Sequence, residues 1–431
     1  SKLLNRYITN ALYRLKVYSN DVNGEYEMIY ILEKNMTNTI RSTTRVKGFN
    51  DAEMDFQLLR QLGSANYGGA SIGEVLSCAA LMENENADEW VDKFLKFANK
   101  QELDAINRYQ RQHYISSKEQ FLKASNTYRS VEYFIHSHKP EHKLYGLKSR
   151  DCFLNYLKLT SYHFEFNFIT YNKQQLPYYI VSPNHEVSQR KTILIISGFD
   201  GTIEESFIHY GIAAIERGYN VICFAGPGQM DSVRFNTQTF FEPNFEAPIT
   251  VLLDEIERSY KWMGLDKLAL MGISFGGYFA SRTACYEPRI KALIANSPIV
   301  DLCSYILGFA DNDGSDLHDF CYDDIQHIPV EIMPPSLKEQ TANLLLRFGH
   351  HLMSETITYL QQVNISENLH LINCPTLSLI GDGEGGEPLR QFKHFINQVK
   401  HQHSYKFTSE DGADAHCQVT NLGFANCVVY D

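Results

Sequence analysis

The sequence predicts an α/β protein whose central sheet is mostly parallel and is covered by helices on both faces. The main observation is that short apolar runs alternate with helical patterns from residue 192 onward. This alternation is typical of parallel strands buried on both sides. A second observation is that residues 163–170 and 178–181 resemble two antiparallel strands, joined by a polar turn at 172–175. We therefore expect two antiparallel strands at the start of the sheet.

The first part of the chain shows helical rather than strand-like patterns. Asn86-x-x-Glu89 and Ser116-x-x-Glu119 are typical of helix starts, and aromatic residues recur behind each of them at helical spacing. The first 50 residues show little periodicity of either kind. These patterns predict a helical N-terminal cap region over residues 1–155.

The alternating region is interrupted once, so that the predicted core consists of residues 156–298 and 371–431. Its strands are expected at 192–196, 220–224, 268–271, 290–295, 376–380 and 404–408, and its helices at 204–217, 247–263, 278–286, 389–399 and from about 421. Residues 299–370 form the interruption, which we expect to be a helical lid. It contains a polar loop at 311–316 and one long helix at 337–363.

Composition limits the classes of partner. The chain of 431 residues carries a net charge of −12, which argues against nucleic acid or an anionic membrane surface as a partner. No apolar run is long enough for a transmembrane helix, and the first residues lack the apolar segment of a signal peptide. The nine cysteines are scattered and lack C-x-x-C spacing, so we predict a cytoplasmic protein. A homodimer is compatible with these properties.

The Gly-x-Ser-x-Gly motif centred on Ser274 is the strongest functional signal in the sequence. It follows the apolar run 267–271 and precedes a helical segment rich in small residues. Strand, motif and helix in this order are typical of a nucleophile elbow, in which a tight turn exposes the serine hydroxyl at the sheet edge. The alternative interpretation is a glycine-rich turn without a catalytic role. We predict that Ser274 is a nucleophile.

A nucleophilic serine needs a base and an acid that orients the base, in the chain order serine, acid, histidine. His416 follows the last predicted strand, with small residues leading into it. Two acids compete after the strand at 376–380: spacing from Gly381 favours Glu384, whereas Asp382 has the more common residue type. Asp301 is a further candidate because it follows the strand at 290–295.

An oxyanion hole requires two backbone N–H groups near the nucleophile. One is expected from Phe275, directly after the serine. The other is expected from the glycine-containing loop 197–201, with Phe199 as first candidate and Asp200 as second. Residues 225–229 either line the floor of the site or form a plain turn.

These motifs together resemble one branch of the α/β-hydrolase superfamily. The resemblance is carried by Gly-x-Asp-Gly at 198–201, Gly-Pro-Gly-Gln at 226–229, the elbow at 272–278 and the segment at 412–418. That branch includes FrsA-like esterases, the pseudooxynicotine carbon–carbon hydrolase and hydrolases that shorten polyketides by retro-Claisen cleavage. The resemblance spans roughly residues 160–431. Ala225, Met230 and Glu384 depart from it, since such proteins often carry aspartate, glycine and aspartate there.

The resemblance implies an α/β-hydrolase fold and a triad of Ser274, an acid and His416 that works without a metal or cofactor. We therefore predict a serine hydrolase that forms an acyl-enzyme on a small or medium acyl or β-dicarbonyl substrate, cleaving an ester or a carbon–carbon bond. An acylaminoacyl or dipeptidyl peptidase is one alternative, although it would normally bring an N-terminal β-propeller. A non-catalytic binding protein on a hydrolase scaffold is another. We expect a closed, largely apolar pocket whose wall includes residues from before 150.

Overall fold

An eight-stranded sheet forms the centre of the molecule, with strand order β1-β2-β4-β3-β5-β6-β7-β8. The structure is a computed structural model that describes residues 40–84, 86–186, 188–310 and 335–431. The strands are β1 (His163–Tyr171), β2 (Gln174–Ser182), β3 (Thr192–Ile196), β4 (Asn220–Phe224), β5 (Leu268–Ile273), β6 (Ala292–Asn296), β7 (Thr376–Gly381) and β8 (Gln402–Phe407). Only the pairs β1–β2 and β2–β4 are antiparallel. The predicted α/β class is confirmed.

Strands β3 and β5 are parallel neighbours at the middle of the sheet, with Ile196 opposite Gly272. Strands β6, β7 and β8 continue the parallel order beside β5. Because the carboxyl ends of parallel strands lie at one edge, the loops after these strands meet there. The sheet therefore brings together the loops that contain the predicted nucleophile, acid, histidine and oxyanion donors.

Five helices precede the sheet within the described residues. They are α1 (Ala52–Gly63), α2 (Ile72–Ala80), α3 (Ala87–Gln110), α4 (Tyr114–Tyr133) and α5 (Pro140–Lys158). The Asn86 side chain caps α3 by accepting from the Glu89 amide at 2.8 Å, in line with its predicted role. Helix α4 begins two residues before the predicted start at Ser116.

These helices share a core with the sheet rather than forming a wholly separate one. Phe153 of α5 packs edge-on against Tyr179 of β2 and Phe207, with ring centroids 5.3 and 5.5 Å apart. A smaller core lies among the helices themselves, where Trp90 contacts Phe94 and Phe134. The helical region is thereby held against one face of the sheet by apolar contacts.

The remaining helices of the core alternate with the strands, and all but the helix at 230–235 correspond to predicted helices. They are α6 (Ile203–Ser206), α7 (Ile212–Glu216), α8 (Met230–Phe235), α9 (Glu246–Ser259), α10 (Gly276–Tyr286), α14 (Gly386–Gln398) and α15 (Leu422–Tyr430), with a π-helical turn (Phe207–Gly211) between α6 and α7. Within the described part of the chain, no helix combines the length and apolarity needed to cross a membrane.

The insertion contains three described helices, α11 (Leu302–Ala310), α12 (Pro335–Phe348) and α13 (Met353–Leu360). The prediction of one helix over 337–363 is wrong, because α12 ends at Phe348 and α13 begins only at Met353. Gly349 has φ +74°, and His350 N–H bonds to the Leu345 carbonyl at 3.1 Å, which are features of a glycine-terminated helix. The predicted polar loop at 311–316 lies outside the described residues. The four-segment division of the chain stays a prediction.

Candidate active site

Ser274 lies in a sharp turn between β5 and α10. Its φ of 59° is in the left-handed region, which is unfavourable for a residue other than glycine. A Cβ on Gly277 would lie 1.7 Å from the Ser297 carbonyl oxygen, so only glycine allows this close approach. The turn has the geometry expected of a nucleophile elbow.

Three side chains form a hydrogen-bonded series at the carboxyl edge of the sheet. His416 Nε2 lies 2.9 Å from Ser274 Oγ, and His416 Nδ1 lies 2.5 Å from Glu384 Oε2. Glu384 is buried and also accepts from Ser297 Oγ at 3.0 Å and from the Gly381 amide at 3.2 Å. A serine, an imidazole and a hydrogen-bonded carboxylate in this order can carry out nucleophilic catalysis.

The structure does not bring Asp382 or Asp301 to His416. Residues Asp382–Glu384 form a 3₁₀ turn after β7, in which Glu384 is buried while Asp382 is partly exposed and pairs with Lys406 at 3.7 Å. Asp301 caps α11, where its carboxylate accepts from Ser304 Oγ at 2.7 Å. The turn therefore separates the two competing carboxylates of the β7 loop and directs only the second toward the imidazole.

The surroundings of His416 favour its protonated form. Burial by itself opposes protonation, but the contacts with Cys417 and with the Glu384 carboxylate outweigh burial and raise the pKa of His416 from 6.5 to about 10. The Glu384 carboxylate is the cause that matters for catalysis, since it stabilises the imidazolium that forms when His416 accepts a proton.

The loop after β3 lies directly against the nucleophile. A Cβ on Gly198 would lie 2.7 Å from Ser274 Cβ and 2.8 Å from the Phe275 amide nitrogen. The loop that carries the candidate donors Phe199 and Asp200 is therefore adjacent to the candidate donor Phe275. This juxtaposition is the one that an oxyanion hole requires.

The Gln229 side chain is hydrogen-bonded to the backbone of this loop. Its Nε2 donates to the Ser197 carbonyl at 2.5 Å and to the Gly198 carbonyl at 3.2 Å. The Gly198 carbonyl and the Phe199 N–H belong to one planar peptide group, so this bond also orients the Phe199 N–H. Residues 225–229 are not part of the pocket lining around Ser274. Of the two interpretations of this segment, the contacts favour the turn over the site floor, and Gln229 in that turn supports the loop.

Asp200 carries a side chain that is bound in an ionic network. Its carboxylate lies 3.1 Å from Arg41 Nη1 and 3.2 Å from Arg60 Nη1. Burial opposes ionisation, but the two guanidinium groups outweigh it and hold the pKa of Asp200 well below its usual range. Asp200 is thus a fixed anion whose side chain anchors the loop to the N-terminal region.

Residues from the helical N-terminal region form part of the pocket wall beside Ser274 and His416. They are Arg41, Phe56 and Arg60. The Arg41 carbonyl accepts from the His416 amide at 2.8 Å, and its guanidinium lies 4.2 Å from the Phe56 ring centroid. The expectation of a wall from before residue 150 agrees with this arrangement.

The pocket contains more charge than expected from the sequence. Besides the two arginines, Asp200 and Glu205 line it. Arg60 pairs with both carboxylates, so the charges are matched within the lining. Sequence reasoning missed Arg41, Phe56 and Arg60 because no motif or periodic pattern marks their segment.

Among the described residues, no group of three or more His, Cys, Asp or Glu side chains is placed to hold a metal ion.

Comparisons with known sequences show hydrolases as relatives. No family model matches the sequence. The α/β hydrolase ucsC of Acremonium sp is 32% identical over 269 residues, which are 57% of this chain and 54% of the relative. The α/β hydrolase xenA of Xenoacremonium sinensis is 29% identical over 257 residues, covering 58% of this chain and 60% of that protein.

A third relative is the 20-hydroxy-prefusarin hydrolase FUS2 of Gibberella moniliformis. It is 28% identical over 268 residues, covering 59% of this chain and 63% of the relative. The chain thus spans less than two thirds of the length of each of these three relatives.

Two solved structures share the fold across most of the chain. The 2,6-dihydroxy-pseudo-oxynicotine hydrolase matches with a TM-score of 0.65 and 19% identity, covering 85% of this chain and 93% of that one. AbyA5 matches with a TM-score of 0.56 and 12% identity, covering 83% and 87%. The sheet order, the elbow and these likenesses define the α/β-hydrolase fold. The chain has this fold and is similar in sequence to proteins named α/β hydrolases, so the expected resemblance is confirmed.

Proposed function

We propose that this chain is a cofactor-independent serine hydrolase that cleaves a small or medium acyl substrate through an acyl-enzyme on Ser274. The observation that carries the proposal is the hydrogen-bonded series from Ser274 through His416 to Glu384. The relatives named hydrolases support the class of reaction. A small-molecule partner and a cytoplasmic location are part of the same proposal.

The residues have distinct roles in the proposed reaction. His416 Nε2 takes the proton of Ser274 Oγ as that oxygen attacks the substrate carbonyl, and Glu384 stabilises the resulting imidazolium. The amides of Phe275 and of Phe199 or Asp200 donate to the oxyanion of the tetrahedral intermediate. The imidazolium then gives its proton to the leaving group, and water releases the acid by the reverse sequence.

The leaving group decides between an esterase and a carbon–carbon hydrolase. In a β-dicarbonyl substrate, collapse of the tetrahedral intermediate breaks the bond to the central carbon, and the electron pair becomes an enolate on the neighbouring carbonyl. His416 then protonates carbon instead of oxygen. The relative named 20-hydroxy-prefusarin hydrolase supports a small-molecule substrate.

Two alternatives have less support. A peptidase of the acylaminoacyl type would normally carry an N-terminal β-propeller, whereas described residues 52–158 form helices and loops. A non-catalytic binding protein would not need a buried imidazole hydrogen-bonded to both a serine and a carboxylate.

Substitution of the nucleophile tests the proposal. We expect Ser274→Ala to lower kcat for p-nitrophenyl butyrate by about 10⁴–10⁶-fold, because loss of a triad member removes the covalent route. The parent protein should also be labelled by a fluorophosphonate, whereas the variant should not. Circular dichroism should be unchanged. Residual activity within tenfold of the parent would mean that another residue is the nucleophile.

A further inference from the structure

Arg347 is a buried arginine of the insertion, and its side chain contacts the loop 197–201, which carries the candidate oxyanion donors Phe199 and Asp200. It lies in the last turn of α12 and is only 2% exposed. Its Nη2 donates to the Phe199 carbonyl at 2.9 Å, and its Nε donates to the Gly228 carbonyl at 2.5 Å. The third nitrogen, Nη1, lies 3.1 Å from the Met230 sulfur. All three guanidinium nitrogens are therefore engaged by neutral groups.

The charge environment of Arg347 differs from that of the equally buried Arg234. Arg234 forms ion pairs with Glu132, Glu204 and Asp231. Among the described residues, no carboxylate lies within ion-pair distance of Arg347. Burial consequently lowers the pKa of Arg347 to about 10. A buried cation without an ion pair is unfavourable for stability, so its presence here indicates a functional role.

The peptide group that Arg347 contacts belongs to the candidate oxyanion hole. The Phe199 carbonyl and the Asp200 N–H are two ends of one planar group, so a bond to the carbonyl orients the N–H. The preceding group, which carries the Phe199 N–H, is held by Gln229 in the same manner. The guanidinium carbon also lies 5.1 Å from the Phe199 ring centroid, which restrains that side chain. Each of the two candidate donor peptides in the loop 197–201 is thus held by one buried side chain.

We propose that Arg347 is a positioning residue of the oxyanion hole, through which the insertion controls the nucleophile site. Its hydrogen bond holds the loop 197–201 in the orientation that stabilises the transition state. Its charge adds a fixed positive potential at this loop. Helix α12 must therefore be docked for full activity. This inference rests on the proposed serine hydrolase function.

A purely structural role would have different consequences. If Arg347 only fastened the insertion to the core, its loss would lower stability and leave the turnover of folded protein unchanged. A positioning role instead lowers kcat, because a preorganised donor acts more strongly in the transition state than in the ground state. KM for a small ester should then change little.

The experiment compares Arg347→Gln, Arg347→Lys and the control Tyr359→Phe. Tyr359 is a matched anchor of the insertion, since its hydroxyl donates to the Phe241 carbonyl at 2.9 Å. We expect Arg347→Gln to lower kcat for p-nitrophenyl butyrate by about 10²-fold, with KM within about threefold of the parent. Arg347→Lys keeps the charge but not the fork of donors, so its kcat should be intermediate. Tyr359→Phe should retain the parent kcat.

A trifluoromethyl ketone supplies the readout that a structural role would not affect. It forms a hemiketal oxyanion with the serine and thus reports on the oxyanion hole directly. Its inhibition constant should rise in Arg347→Gln by about the same factor as kcat falls. A kcat and an inhibition constant both within about threefold of the parent would overturn the proposal. So would a loss of kcat with unchanged inhibition.

The outcome also separates this inference from the proposed function. If Arg347→Gln does not fold, Arg347→Lys is judged by the same two measurements. A parent protein without Ser274-dependent turnover or fluorophosphonate labelling would overturn the serine hydrolase proposal and this inference with it. A fully active Arg347→Gln beside an active parent would overturn this inference alone.

Discussion

His416 is the residue on which the proposed chemistry depends, because its ring contacts both the nucleophile and the acid. Its two ring nitrogens bond to Ser274 and Glu384 at 2.9 and 2.5 Å. Glu384 is one methylene longer than the aspartate that similar proteins often carry here. The 3₁₀ turn that begins at Asp382 places the longer side chain beneath the imidazole.

The choice of acid can be tested by neutralising each carboxylate in turn. We expect Glu384→Gln to lower kcat by about 10⁴-fold, because it removes the anion that orients and stabilises the imidazolium. Asp382→Asn is the matched control, since the ion pair that Asp382 forms among the described residues is with the exposed Lys406, and its kcat should stay near the parent value. Steady-state kinetics with one ester would decide. A larger loss in Asp382→Asn would identify Asp382 as the acid.

The pH dependence of activity should follow the ionisation of His416. Only the neutral imidazole can accept the serine proton, so kcat/KM should rise with pH through the pKa of His416 in the free enzyme. That pKa is raised above 6.5, so the rise should continue into the alkaline range. Glu384→Gln removes a stabilising anion and should move the rise to lower pH, with reduced maximal activity. An unchanged profile would argue against the coupling of the two side chains.

At the scale of elements, the site is built from loops that follow parallel strands. Strands β3, β5, β6 and β7 end at the same edge and are followed by the loop 197–201, Ser274, Ser297 and Glu384, respectively. The loop after β8 adds His416. Rigid strands allow these side chains to be held at hydrogen-bond distance, although they are far apart along the chain.

Two further elements contact the loops at this edge of the sheet. The segment around Arg41 bonds through its backbone to His416 and through its side chain to Asp200. Helix α12 approaches from the insertion and contacts the same loop through Arg347. The glycine-terminated end of α12 follows directly, at Gly349, and lets the chain turn into α13. Both elements therefore contact the loop 197–201 from outside the sheet.

At the scale of the whole molecule, a buried ionic cluster links the helical region to the sheet region. Arg234 of α8 donates to Glu132 of α4 at 2.6 Å and to Glu204 of α6 at 3.1 Å. Asp231 is a third partner at 2.8 Å. These residues are all buried. The cluster therefore couples the stability of the two regions.

Removing the cation of this cluster should be strongly destabilising. We expect Arg234→Gln to lower the free energy of unfolding by about 3–5 kcal/mol, because it leaves three buried carboxylates without their cation. Arg108→Gln is a suitable control, since Arg108 forms an exposed i,i+4 pair with Asp104 and its loss should leave stability nearly unchanged. Urea denaturation measures both. Equal stability of the two variants would contradict the importance of the cluster.

The sequence by itself determined the fold class, the positions of the strands along the chain and the position of the elbow. Each depends on local information: a buried parallel strand must be a continuous apolar run, and the turn at Ser274 requires small residues beside it. The position of His416 after the last strand followed from the same reasoning. The break at Gly349 was also encoded locally, by glycine, but the apolar periodicity on both sides obscured it.

Only the tertiary structure decided which acid meets His416 and which distant residues complete the site. Asp382 and Glu384 are two positions apart, and the geometry of one turn buries the second and leaves the first partly exposed. Arg41 and Arg347 lie in segments without a motif, so nothing local distinguishes them from other arginines. Their contacts with the loop after β3 exist because packing of the helical region and the insertion brings them there. Such contacts depend on the arrangement of whole elements, which hydrophobic periodicity along the chain does not specify.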